Sequence, residues 1–293
     1  LVETSLWCLT EPRKGRRAVL LPSGAELDAG ERREPPSGPI GGYLYEPDPA
    51  VIRAGAIGAL AEALHARAAS PGIAYLFADK LIATPFATAF EVLETLGLHH
   101  GKFIHADQHV RRMGEAAAHF DFAFNAHAVR QELQIAALQH RDGDWRVRLL
   151  LAADGSARAE AFALQTTTVP VRLQLAPRPF AAAHSEFVRY KTTRRAHYTA
   201  LAPTTPGVFD TVLWNEAGEI TETTFGNIAM LLDGRWVTPP LACGLLPGVG
   251  RAVALQDGHV VEAVLRVADI PRVQGWAFIN SLRGWLDATL DSE

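Results

Sequence analysis

Residues 209–238 alternate short runs of β-branched and apolar residues with tight-turn signals, and no other stretch constrains the fold as strongly. The runs 209–214, 220–223, 227–232 and 235–238 have strand length. Between them, Asn215-Glu216-Ala217-Gly218 and Asp233-Gly234 supply residues that tolerate tight-turn backbone. The spacing predicts an antiparallel meander. It leads into a Gly/Pro loop at 244–250 and a helix starting at Arg251. A strand at 171–176 opens this part of the chain, and Thr166-Thr167-Thr168 with Val169-Pro170 reads as the linker before it.

Upstream, 73–83 and 90–98 read as strands. Asp107 is placed to cap a helix reaching about Phe120, and a second helix fits 127–140. Segments 145–152 and 158–165 flank the turn Ala153-Asp154-Gly155-Ser156, a hairpin signal. Residues 1–47 show little period, and 31–42 reads as a loop. Asp48 is an N-cap candidate with Pro49 at the first helical position, before apolar residues at helical spacing over 51–69. The expected organisation is α+β: an N-terminal extension with one helix (1–71), a small α+β domain (72–168) and a larger α/β domain (169–293). There is no internal repeat or low-complexity tract.

Composition removes several classes of function. The net charge is −4 over 293 residues, which argues against a broad nucleic-acid surface, since that needs a basic face to displace counterions. No apolar run approaches the roughly 18–20 residues of a membrane span. Residues 1–17 lack the order of a signal peptide. Cys8 and Cys243 stand far apart, which makes neither a disulfide framework nor a metal cluster and suits a reducing cytoplasm. The only methionines are Met113 and Met230, so position 1 reads as part of a trimmed or longer product. Of 28 basic Lys and Arg residues only Lys14, Lys80, Lys102 and Lys191 are lysines. Chemistry that needs a lysine amine therefore has four candidates.

Four features could carry chemistry. Lys191 sits among Arg189, Arg194 and Arg195. Neighbouring cations and partial burial would depress its pKa and make it a nucleophile, whereas full solvation would leave an ordinary basic turn. Gly244-Leu245-Leu246-Pro247-Gly248-Val249-Gly250 precedes a helix, a phosphate cradle or a plain strand-to-helix turn. Its spacing matches neither a Walker loop nor a dinucleotide fingerprint. Glu222, between two strands of the meander, is either a solvated edge charge or the partner of a cationic ring nitrogen. Arg112, three residues after His109, shares a helix face with it, as a solvated pair or an anion site.

In this order, His-x-x-Arg, lysine, glutamate and Gly-Leu-Leu-Pro-Gly loop, the chain resembles fold-type IV pyridoxal-phosphate enzymes over about 73–286. Tyr190-Lys191-Thr192-Thr193 with Arg195 and Tyr198, the hairpin through Glu222 and Asn227, Pro239-Pro240-Leu241-Ala242-Cys243-Gly244-Leu245-Leu246-Pro247-Gly248 and Asn280-Ser281-Leu282-Arg283-Gly284 carry the likeness. The subfamily it most resembles is the aminodeoxychorismate lyases. Gly250 stands where the family often has Thr, and Tyr190 where fused lyases often have His.

The resemblance implies a two-domain, D-amino acid aminotransferase-like fold and pyridoxal 5'-phosphate held covalently by Lys191. It places Glu222 at the ring nitrogen, Arg112, Val249, Gly250 and Ser281 at the phosphate, and Leu246 against the ring. For substrate carboxylates the candidates are Asn280 and Arg189; in a strand, Arg189 would face the same side as Lys191. The implied activity is 4-amino-4-deoxychorismate lyase, giving pyruvate and 4-aminobenzoate for folate synthesis. The alternatives are a transaminase of D-amino or branched-chain amino acids, and a non-catalytic module docking on a chorismate-aminating enzyme. A cytoplasmic homodimer without metal, membrane or nucleic acid is expected.

Overall fold

The structure is a computed structural model describing residues 15–68, 72 and 74–291. The chain divides into two compact units, Leu1–Phe90 and Glu91–Glu293. The boundary expected at residue 71 therefore falls about one hairpin later. The reason is strand pairing: β4 (Leu76–Ala78) and β5 (Ala87–Phe90) flank β3 (Tyr43–Pro47) in a three-stranded antiparallel sheet. The same unit holds the hairpin β1 (Arg16–Leu20) and β2 (Ala25–Gly30), where the sequence showed no period.

Asp48 caps α1 (Pro49–Arg53) as expected, accepting the Ala50 N–H at 2.8 Å. The single helix expected over 51–69 is instead α1 and α2 (Ile57–Ala63), broken at Gly55, whose φ is 63°. Val51, Leu60 and Leu64 enter the core of this unit with Tyr45 and Leu76. Of the one strand, or two short strands around Asp79-Lys80, expected at 73–83, β4 forms on the N-terminal side of Asp79; Ala69, Ser70, Pro71 and Ile73 lie outside the described residues.

The second unit contains two sheets. The first, in the order β7-β6-β8-β9, uses β6 (Val92–His99), β7 (Lys102–Phe103), β8 (Asp144–Leu151) and β9 (Ala157–Ala163). Two helices accompany it: α3 (Ala106–His119) and α4 (Ala126–Gln139). Asp107 lies inside the first turn of α3; His105 is the N-cap, with positive φ, and Asn125 caps α4.

After residue 170 come β10 (Val171–Leu175), the one-turn helices α5 (Glu186–Arg189) and α6 (Ala196–Thr199), and β11 (Asp210–Trp214). The meander follows as β12 (Ile220–Thr223), β13 (Asn227–Leu232) and β14 (Arg235–Thr238). Then come α7 (Val249–Gln256), β15 (Val261–Glu262), β16 (Gly275–Asn280) and β17 (Gly284–Leu290). These strands make one eight-stranded mixed sheet, β12-β11-β10-β17-β16-β13-β14-β15.

The period of two along β13 and β16 sorts side chains to the two faces of this sheet. Ile228, Met230, Trp276 and Phe278 fill one core, with Ile228 opposite Phe278 and Met230 opposite Trp276. Ala229, Ala277 and Ile279 face the other way and pack with Ala254 of α7. Two alanines at the contact let α7 approach the sheet closely, which sets where its N-terminus lies.

Candidate active site

Lys191 is placed by its neighbours. The Leu93 N–H donates to the Lys191 carbonyl at 2.9 Å, and the Thr193 N–H donates to the Glu91 carbonyl at 2.9 Å. Thr193 Oγ1 accepts the Glu91 N–H at 3.0 Å. The lysine segment is thereby stitched to the start of β6, while Phe187 and Val188 of α5 are buried behind it. Burial pushes the Lys191 amine down to about 7, and the charges of Arg195 and Arg112 push the same way. An amine with this pKa is about half neutral, and so available as a nucleophile, at pH 7.

Glu222, on β12, faces the same cavity of about 570 Å³. It is 2% exposed. Tyr198 Oη donates to one carboxylate oxygen at 2.6 Å, and the Leu246 N–H donates to the other at 3.1 Å. Burial nevertheless raises its pKa to about 7. Among the described residues this carboxylate has two donors but no cation bonded to it, so it suits a protonated ring nitrogen.

Arg112 projects from α3. Its Nε and Nη2 donate to the two oxygens of Glu94 at 2.8 and 2.6 Å, and its Nη1 donates to the Pro247 carbonyl at 2.9 Å. Glu94 also pairs with His109 Nδ1 at 2.6 Å. Its burial opposes ionisation, yet Arg112 and His109 outweigh it and hold the carboxyl at about 2. Burial lowers the His109 pKa, and Nε2 of that ring has no hydrogen-bond partner. The Glu94 carboxylate thus fixes the Arg112 guanidinium beside the Gly/Pro loop.

That loop ends at α7, which starts at Val249, two residues earlier than expected, because Gly248 already serves as N-cap. No side chain caps it, so its first N–H groups remain for an anion. Two glycines allow close approach. A Cβ on Gly250 would lie 2.6 Å from the Asn280 carbonyl carbon, and one on Gly248 would lie 1.9 Å from Asn227 Oδ1. The Thr otherwise common at 250 would not fit this backbone contact.

Lys191, Arg112, Glu222, Leu246, Val249, Asn280 and Ser281 all line the one cavity. Gly250 lies behind it, under the Asn280–Ser281 peptide. Asn280 Oδ1 accepts the Leu282 and Arg283 N–H groups at 3.1 and 2.8 Å, leaving Nδ2 as its donor. Arg189 is a correction. It ends helix α5 rather than sitting in a strand, its side chain is exposed, and it does not line the cavity.

Glu94, Arg146, Arg148 and Asp210, which the sequence reading did not single out, also belong to the site, as do Arg195 and Arg283, which it named only as neighbours or motif members. Glu94 was legible only as a charge inside an apolar strand run, which demands a buried partner. Arg146, Arg148 and Arg283 line the cavity, and Arg195 lies 4.4 Å over the Tyr198 ring. The turn at 224–226 is built by Asp210, whose buried carboxylate accepts from the Thr224 hydroxyl at 2.5 Å and the Phe225 N–H at 3.0 Å. The donor set of Arg112, the α7 N-terminus and Ser281 fits a phosphate. With a nucleophilic lysine and a buried carboxylate opposite, the residues fit a phosphorylated pyridine aldehyde.

The family model for class IV amino-transferases matches residues 91–290. The chain belongs to this family. A relative from Schizosaccharomyces pombe, named "Putative aminodeoxychorismate lyase", is 27% identical over 170 residues, covering 56% of this chain and 73% of its own. A structure from Mesorhizobium loti, titled a "Putative amino-acid aminotransferase", has a TM-score of 0.64 and 35% identity over 69% of this chain and all of its own. A hypothetical aminotransferase from Mycobacterium tuberculosis, solved in a PLP-bound form, has a TM-score of 0.58 and 19% identity over 69% of this chain and 81% of its own. The match begins at Glu91, where the second unit begins.

Proposed function

We propose that the chain is a pyridoxal-phosphate-dependent 4-amino-4-deoxychorismate lyase. The observation that carries this reading is the charge of the cavity. Arg146, Arg195 and Arg283 line it with no carboxylate bonded to them among the described residues, against Glu222 as the lining carboxylate, while the lining Arg112 and Arg148 are paired with Glu94 and Glu160. A cofactor phosphate accounts for part of this excess, and a substrate with two carboxylates accounts for the rest. The S. pombe relative's name agrees.

In this reading Lys191 holds the cofactor, and Glu222, oriented by Tyr198 and the Leu246 N–H, keeps the ring nitrogen protonated. Arg112, the Val249 and Gly250 N–H groups and the Ser281 hydroxyl hold the phosphate, and Leu246 packs against the ring. The bound cofactor supplies an electron sink. With the cofactor bound, Lys191 Nζ would be the base that takes the proton from the amine-bearing carbon of the substrate and the acid that returns one to the departing three-carbon fragment. Asn280 Nδ2 donates to a substrate carboxylate. The assembly is a homodimer, with a chorismate-aminating enzyme as the upstream partner.

A transaminase reading is favoured by the 35% identity to the M. loti protein. A transaminase needs a keto acid to complete each turnover; a lyase does not. The test is pyruvate release from aminodeoxychorismate without added keto acid, beside transfer from D-alanine or leucine to 2-oxoglutarate. Pyruvate with little amino transfer is expected. Strong transfer without pyruvate overturns the lyase reading. Sedimentation of the active protein as a monomer overturns the dimer.

A further inference from the structure

We propose that Arg146 and Arg283 form the substrate-carboxylate site of this cavity and select a substrate that carries a carboxylate remote from its reacting amine. The proposal rests on the lyase reading and names residues that reading does not assign.

Two of the five cavity arginines are paired with carboxylates: Arg112 is bidentate on Glu94, and Arg148 pairs with Glu160 at 3.0 Å. Arg195 lies over the Tyr198 ring, donates to the Thr224 carbonyl and acts on the Glu222 carboxylate through its charge, which places it on the ring-nitrogen side of the cavity. Arg146 and Arg283 have no carboxylate partner among the described residues, and Glu222, the carboxylate that Arg195 acts on, is not among the charges that shift Arg283. Arg283 Nη1 donates to the Gln165 carbonyl at 2.9 Å and to Thr167 Oγ1, both neutral acceptors that fix the guanidinium without neutralising it. Its Nε and Nη2 make no hydrogen bond among the described residues.

Arg146 is held differently. It pairs directly across the strand with Phe162 of β9, and its guanidinium carbon lies 4.8 Å from that ring's centroid. Stacking on a ring face positions an arginine while leaving its N–H edge free for a planar carboxylate. Burial lowers the Arg283 pKa, and the charge of Arg146 lowers it further, so the two cations sense each other. Two neighbouring guanidinium groups without a counter-charge repel until an anion joins them. The turn carrying Arg283 starts at Asn280 and includes Ser281. One turn therefore ties the phosphate side of the cavity to this second anion site.

The test uses cofactor-loaded wild type, Arg146→Gln, Arg283→Gln and Arg283→Lys, with benzene-1,3-dicarboxylate and benzoate as probes. Binding is followed by protein fluorescence, and retention of the visible band of the lysine-bound cofactor shows that the site is otherwise intact. Loss of a charge-assisted hydrogen bond predicts a roughly 10- to 100-fold weaker dicarboxylate in each Gln variant. Benzoate affinity should change far less, and Arg283→Lys should recover part of the loss. Unchanged dicarboxylate affinity in both Gln variants, with the visible band present, overturns the proposal. If Arg283→Gln loses its cofactor, Arg146→Gln, altered at an exposed side chain, decides alone. Absence of pyruvate from aminodeoxychorismate in wild type sinks the lyase reading, while the dicarboxylate titration still decides the arginine site.

Discussion

The lysine and Glu94 show how far the interior moves an ionisable group from its behaviour in water. With the Lys191 amine near 7 instead of 10.5, the neutral form rises as pH passes through 7. The rate of cofactor capture, followed by growth of the visible band, is expected to inflect near pH 7, and Lys191→Ala should show no band. An inflection near 10 would mean the amine is solvated. Glu94 lies on the opposite side, held at about 2 against an ordinary 4.5. A depressed carboxylate contributes stability that is complete above its unfolded pKa and fades as pH falls from 4.5 toward 2. By linkage this amounts to on the order of 3 kcal/mol. Glu94→Gln should therefore be destabilised at pH 7, and its deficit relative to wild type in urea melts should shrink toward pH 2. A pH-independent deficit would show that the charge is not the cause.

Among the elements, α7 and the strands under it decide whether an anion can be held. Its N-terminus is uncapped, and its second residue must be glycine because the Asn280–Ser281 peptide lies against it. Gly250→Ala would drive a Cβ into backbone, which has no rotamer by which to yield. The expected result is at least about tenfold weaker cofactor binding, since each 1.4 kcal/mol of strain or displaced hydrogen bonding is a factor of ten. Equilibrium titration of the visible band measures it, with tryptophan fluorescence reporting whether the fold survives. Unaltered affinity would show that α7 stands farther from β16 than described.

For the molecule as a whole, all the cavity residues lie in Glu91–Glu293. So do Trp145, Trp214, Trp236, Trp276 and Trp285, five of the six tryptophans. Tryptophan fluorescence therefore reports mainly on the unit that binds the cofactor. A ligand that binds only the folded form at 100 times its dissociation constant adds about 2.7 kcal/mol. The fluorescence-detected denaturation midpoint should rise with cofactor, and the rise should vanish in Lys191→Ala. A rise that persists in Lys191→Ala would indicate binding without the lysine.

Local chemistry made much of this readable from the chain. The turns at Asn215-Glu216-Ala217-Gly218 and Asp233-Gly234 demand the meander, Asp48-Pro49 starts a helix, and the scarcity of lysines directs attention to Lys191. The order of motifs groups Arg112, Glu222, Leu246, Val249, Gly250 and Ser281, and all of these but Gly250 line one cavity. What stayed hidden depends on pairing between distant segments. Whether β4 and β5 join β3 or β6 is a choice of strand partner that no local propensity encodes, so the division at Phe90 is not legible in the chain. Strand spacing would set Arg189 on the side of Lys191, but Ser185 caps a helical turn there, and Arg189 is exposed outside the cavity lining. Glu94 acquires its role from a helix 18 positions away in sequence. Arg146 and Arg283 become neighbours only when a strand of one sheet meets a turn of the other, because charge at a site sums over space rather than along the chain.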